Sequence, residues 1–142
     1  MIGIVVITHG QLGQEFIKTA ETIVGPLQGI VTLGTNRTQG VESLKQEVEK
    51  VIRASDQGEG VLVLTDMFGG TPSNLSLAFL EEEKVEVVTG VNLPMILKLS
   101  LEKRQGPLKE FAQYVRNYGQ RNITLASEIL KAEVGAVRRQ TR

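Results

Sequence analysis

The chain contains a single histidine, His9, which closes the apolar run Ile2-Gly3-Ile4-Val5-Val6-Ile7-Thr8 and is followed by Gly10. A second such run, Val61 to Leu64, ends on Thr65-Asp66 and leads into Met67-Phe68-Gly69-Gly70-Thr71-Pro72-Ser73-Asn74. A carboxylate that accepts one ring N–H of an imidazole fixes its tautomer and leaves the other nitrogen as a nucleophile. It also stabilises positive charge on the ring once that nitrogen has reacted. With an unperturbed pKa of about 6.5, an imidazole supplies a neutral nucleophile at physiological pH. Paired glycines let the backbone approach a ligand closely and expose N–H groups. A helix opening near Pro72 would aim its free N–H groups at the same place, and Thr71 and Ser73 add hydroxyl donors. A nucleophilic nitrogen beside an oxyanion cradle suits transient phosphorylation of a histidine. A phosphoramidate donor is reactive enough that no metal or cofactor is required.

For His9 and Asp66 to meet, the chain between them must bring two strand ends together. The runs ending on His9 and Thr65 read as strands buried on both faces, as in a parallel sheet. Between them lie a helix carrying Leu12, Phe16, Ala20, Ile23 and Val24 on one face, stopped by Gly25-Pro26, and a strand over 29–33. A second helix follows, capped by Thr38, with the stripe Val41, Leu44, Val48, Val51 and Ile52. Beyond Asp66, Thr71 is the expected N-cap of a short helix bearing Leu75, Ala78 and Phe79. The acidic run Glu81 to Glu83 is a solvated helix end, and Val85 to Val88 is the fourth strand. Asn92-Leu93-Pro94 reads as a turn. Two helical segments, 95–101 and 108–118, are split by Gly106-Pro107. Ile123 to Leu125 is a candidate last strand, and 127–137 has a weaker helical pattern. The alternation implies an α/β fold: an open doubly wound, mainly parallel sheet of order 2-1-3-4 with helices on both faces. In that order the first and third strands are neighbours, and the switch point where such folds gather ligands lies between them.

Taken singly, these features have ordinary explanations. Asp66 could cap a turn, Gly69-Gly70 could be a tight connection, and Thr71-Pro72 could be a helix start. Two other functions also fit: a module that binds a small anion without chemistry, and a hydrolase built from Ser73 or Thr71 with His9 and Asp66. The hydrolase lacks a G-x-S-x-G elbow. A histidine phosphatase is excluded because it needs a second histidine and a neighbouring arginine.

With 142 residues the chain is expected to form one domain, with a core over about 1–125 and an extension over 126–142. Sixteen basic and sixteen acidic residues cancel, which removes the electrostatic footprint of a nucleic-acid binder. The local exception, Arg138, Arg139 and Arg142, reads as a solvated end. The absence of cysteine excludes disulfides and thiolate chemistry, and one histidine excludes a histidine-rich metal site. No apolar run approaches the roughly 20 residues of a membrane span, and the first residues lack a signal-peptide pattern. A cytoplasmic protein is expected.

At IVVITHG, TDMFGGTPSN and TGVNLPM the chain resembles the IIA components of the mannose-type sugar phosphotransferase system (PTS). The resemblance implies a phosphoryl carrier that takes phosphate from the phosphocarrier HPr and passes it to a IIB component. The carrier histidine would be His9 and the orienting aspartate Asp66. Thr71 would be the hydroxyl that contacts the phosphoryl group after the paired glycines Gly69 and Gly70, and Phe68 the aromatic residue beside the site. It further implies a homodimer that exchanges a C-terminal edge strand, for which 123–125 is the candidate, and an indirect association with a membrane sugar permease. Many members continue into a fused IIB domain. Ending at Arg142, this chain is expected to act on a separate partner or in a regulatory phosphorelay.

Overall fold

Apolar runs without polar alternation are stable as strands where both faces of their sheet are covered. In the computed structural model, which describes residues 1–131, β1 (Gly3–His9) and β3 (Val61–Thr65) hold that position. Every residue of the two strands is buried except His9. The edges are β2 (Ile30–Thr35) and β4 (Val85–Thr89), whose residues are mostly half-buried. The four strands run parallel in the order β2-β1-β3-β4, as expected.

Alternation along the strands divides the core. Ile4, Val6, Leu62 and Leu64 pack against α1 (Leu12–Val24), α4 (Leu93–Leu101) and α5 (Leu108–Arg121). Val5, Ile7, Val61 and Val63 pack against α2 (Val41–Ser55) and α3 (Thr71–Leu77). Each such side chain contributes about 1.5–3 kcal/mol on full burial, so the two central strands anchor both layers. Register pairs Ile7 of β1 with Thr65 of β3, which sets His9 and Asp66 just beyond the same end of adjacent strands.

Several local expectations need correction. The buried face of α1 is Gly13, Phe16, Ile17 and Ala20, whereas Leu12, Ile23 and Val24 are exposed at its ends. The rotation follows from Gly13: a Cβ there would meet Thr8 Oγ1 at 3.3 Å and Val6 Cγ1 at 3.4 Å, so the helix lies close on β1 at that residue. In α2, Leu44, Val48 and Ile52 are buried as expected, and Val41 is exposed. Gly40, not Thr38, occupies its N-cap; Thr38 instead donates its N–H and hydroxyl to Asn36 Oδ1. Gly70 holds the N-cap position of α3, and Thr71 is its first helical residue.

Ile123 to Leu125 form no strand within the chain. The Ile123 N–H donates to the Gln120 carbonyl in the closing turn of α5, and the Leu125 carbonyl accepts from Glu128 and Ile129 as 126–131 turn helical. The run is thereby used as a helix-to-helix connection, with Ile123 76% exposed. Arg138, Arg139, Arg142 and the end of the 127–137 helical pattern lie outside the described residues.

At the opposite end of the sheet the buried Arg104 donates to the carbonyls of Gln28, Gly29 and Leu99, and burial lowers its pKa from the ordinary value. At the site end, a Cβ on Gly34 would collide with the Gly10 carbonyl oxygen, while Gly10 N–H donates to the Thr35 carbonyl at 2.8 Å. Gly34→Ala is therefore expected to lower stability by about 1–3 kcal/mol, because the atom in its way is backbone. Urea unfolding checks this; an unchanged midpoint would show that the His9–Gly10 turn moves freely from β2.

Candidate active site

Thr8 and His9 are consecutive strand residues and point to opposite faces. Thr8 is fully buried and its Oγ1 accepts the Gly13 N–H at 2.8 Å, which satisfies one of the free donors at the start of α1. His9 projects outward, with 49% of its side chain exposed. Gly10, at φ +52°, makes the left-handed turn between strand and helix.

Asp66 engages His9 twice through one oxygen. Oδ2 accepts the main-chain N–H of His9 at 3.0 Å and lies 2.8 Å from ring Nδ1. Oδ1 accepts the Met67 N–H at 3.0 Å. Only 11% of the Asp66 side chain is exposed. Burial pushes its pKa up, but the His9 main-chain N–H, the ring hydrogen bond and the ring charge outweigh this, and the carboxyl is held below its ordinary 3.8. It is ionised at neutral pH and has no proton to give, so Nδ1 carries the hydrogen of the 2.8 Å contact, the tautomer that leaves the lone pair on Nε2.

The glycine loop lies against that nitrogen. A Cβ on Gly70 would lie 2.6 Å from Cε1 and 3.0 Å from Nε2 of His9. Gly69, at φ +90°, turns the chain, and its N–H donates to Ser73 Oγ at 3.1 Å. Two expectations change here. The Gly69 N–H is occupied within the loop, and Ser73 is fully buried as the fastener of that loop instead of facing an anion. Thr71 lines a cleft of about 750 Å³ together with His9, Gly10, Thr35, Asn36, Arg37 and Gln39. Phe68 stands 73% exposed two residues after Asp66. Asn92, read as part of a turn, caps α4 by accepting the Met95 N–H and donates to the Gly119 carbonyl. Among the described residues no group of three or more histidines, cysteines and carboxylates could hold a metal.

Fold and geometry together define a doubly wound α/β protein with a carboxylate-oriented imidazole at its switch point. The chain belongs to the mannose-type EIIA family of the phosphotransferase system: residues 3–115 match the family described as the PTS system fructose IIA component. It is 24% identical over 132 residues to the fructose-specific EIIA component of Bacillus subtilis (strain 168), covering 92% of this chain and 90% of that protein. It is 31% identical over 107 residues to the mannose-specific EIIAB component of Escherichia coli (strain K12), covering 75% of this chain but only 33% of that longer protein. The crystal structure of phosphotransferase component EIIA from Streptococcus agalactiae superposes with a TM-score of 0.79 over 90% of this chain and 99% of that one, at 23% identity, a likeness of fold. No helix among the described residues is long and apolar enough to cross a membrane.

Proposed function

We propose that His9 accepts a phosphoryl group on Nε2 from HPr and yields it to a IIB component, as a cytoplasmic intermediate in sugar uptake or in a regulatory phosphorelay. One observation carries this reading: Nδ1 is engaged by Asp66 at 2.8 Å while the other ring nitrogen stands open beside Gly70. In the transfer, the Nε2 lone pair forms a bond to phosphorus as the P–N bond to the donor's imidazole breaks. That electron pair returns to the donor ring, so no oxidant, metal or net proton is consumed. Asp66 stabilises the charge that develops on His9. Gly70 leaves room for the phosphoryl oxygens, and the N–H groups opening α3 and the Thr71 hydroxyl donate to them. Phe68, exposed on the same loop, offers apolar surface to the docking protein. Residues 1–142 act as one IIA domain, and a homodimer would cover the exposed apolar Ile123 and Leu125.

Intact-mass measurement after incubation with phosphoenolpyruvate, enzyme I and HPr tests the reading. One acid-labile phosphoryl adduct per chain is expected; its absence would leave the non-catalytic anion-binding module. The hydrolase alternative loses its serine, since Ser73 is fully buried and engaged by Gly69.

Asp66→Ala is expected to slow transfer on the order of 100-fold or more, because the ring loses its fixed tautomer and orientation. The same variant tests the carboxyl's linkage to folding. A group whose pKa is lower folded than unfolded stabilises the fold above the unfolded value of 3.8, and that contribution is lost as pH falls through the folded value. The carboxylate's contribution to the stability difference between wild type and variant should thus be present above 3.8 and shrink in acid. Denaturant unfolding across pH checks the sign, and a difference that grows in acid would contradict it.

A further inference from the structure

The site as described lacks a cation for its cargo. A phosphoryl group on Nε2 brings roughly two negative charges to a ring already hydrogen-bonded to an ionised carboxylate. Gly70 and Thr71 offer only neutral donors. Among the residues lining the cleft, Arg37 alone carries a permanent positive charge. It sits in the β2–α2 loop, exposed, and among the described residues it makes no ion pair or hydrogen bond. The loop that presents it is fastened to the catalytic strand. Thr35 is buried, its Oγ1 donates to the Thr8 carbonyl at 3.3 Å, and its own carbonyl accepts the Gly10 N–H. Asn36 Oδ1 then takes the N–H and hydroxyl of Thr38, at 2.8 and 2.7 Å, which shapes the turn around Arg37. The backbone beside the guanidinium is therefore held while its side chain is unengaged.

We propose that Arg37 holds the phosphoryl group on His9, its planar fork pairing with two phosphoryl oxygens across the cleft. A guanidinium matches phosphate geometry with two parallel N–H bonds, which an ammonium or a hydroxyl does not. The inference rests on the reading of His9 as the phosphoryl acceptor and goes beyond it by assigning the counter-charge.

The equilibrium of the transfer distinguishes this role from docking. A residue that only helps HPr to dock accelerates transfer in both directions equally and leaves the equilibrium constant unchanged. A residue that pairs with the phosphoryl group on this chain favours the phosphorylated chain itself. The experiment mixes phosphorylated HPr with wild type, Arg37→Gln or Arg37→Lys and reads the phosphorylated fraction of both proteins by intact mass at equilibrium, at low and high salt. For Arg37→Gln the constant is expected to shift toward phospho-HPr by about 3- to 10-fold, with a weaker salt dependence than wild type and partial recovery in Arg37→Lys. Equal constants and rates in wild type and Arg37→Gln would overturn the inference while leaving His9 as acceptor. Equal constants with slower approach to equilibrium would also overturn it, making Arg37 a docking residue. Absence of any adduct in wild type would instead end the His9 reading.

Discussion

His9→Gln is expected to abolish the phosphoryl adduct entirely while leaving the protein folded. Glutamine offers an amide whose nitrogen lone pair is delocalised, so the side chain keeps a donor for Asp66 but has no nucleophile. His9 is the one residue of β1 that is not buried, and no core contact depends on its ring. A surface position of this kind costs little stability when exchanged for another polar residue, within about 0.5 kcal/mol. Intact mass with the complete donor system, alongside a thermal melt, separates chemistry from folding. An adduct surviving in His9→Gln would place the acceptor elsewhere in the chain.

Gly70→Ala is expected to produce the second largest loss, through crowding instead of deletion. The added methyl would sit 2.6 Å from Cε1 and 3.0 Å from Nε2 of His9, well inside the roughly 3.5–4.0 Å that carbon atoms prefer. Gly70 itself has φ −89° and ψ 171°, extended backbone that alanine adopts without strain. The strain must therefore be relieved by moving the ring or the loop. Displacing a reacting atom by about 1 Å costs on the order of 100-fold in rate. Rapid-quench transfer from phosphorylated HPr should show this loss with a nearly unchanged melting temperature. A normal rate would show that the loop does not confine the nitrogen, and that the glycine serves only the turn.

The parts legible in the sequence were those set by local pattern and topology. Two continuous apolar runs demanded central strands, the helices between them demanded parallel order, and that order alone placed His9 beside Asp66. Less legible were roles decided by packing across the chain. Thr8 fastens α1 because Gly13 lies close on β1, a contact that periodicity does not encode. Ser73 reads equally well as a phosphate donor or a loop fastener until its burial and its bond to Gly69 are seen. Arg104, two of whose three carbonyl partners lie about 75 residues away at Gln28 and Gly29, carries no local signal. The Ile123–Leu125 run has strand-forming residues, but the adjoining helical turns engage the Ile123 N–H and the Leu125 carbonyl, and it pairs with no strand among the described residues.

The double engagement of Asp66 Oδ2 also bears on which phosphohistidine isomer the proposed transfer would form. Because one oxygen holds both the main-chain N–H and Nδ1 of the same residue, the ring cannot flip about its Cβ–Cγ bond without giving up a bond. On that reading the regiochemistry of transfer follows from a small closed loop in which the main-chain nitrogen and Nδ1 of His9, four covalent bonds apart, share one acceptor. The free ring nitrogen is thus selected by the fold itself, independently of any docking protein.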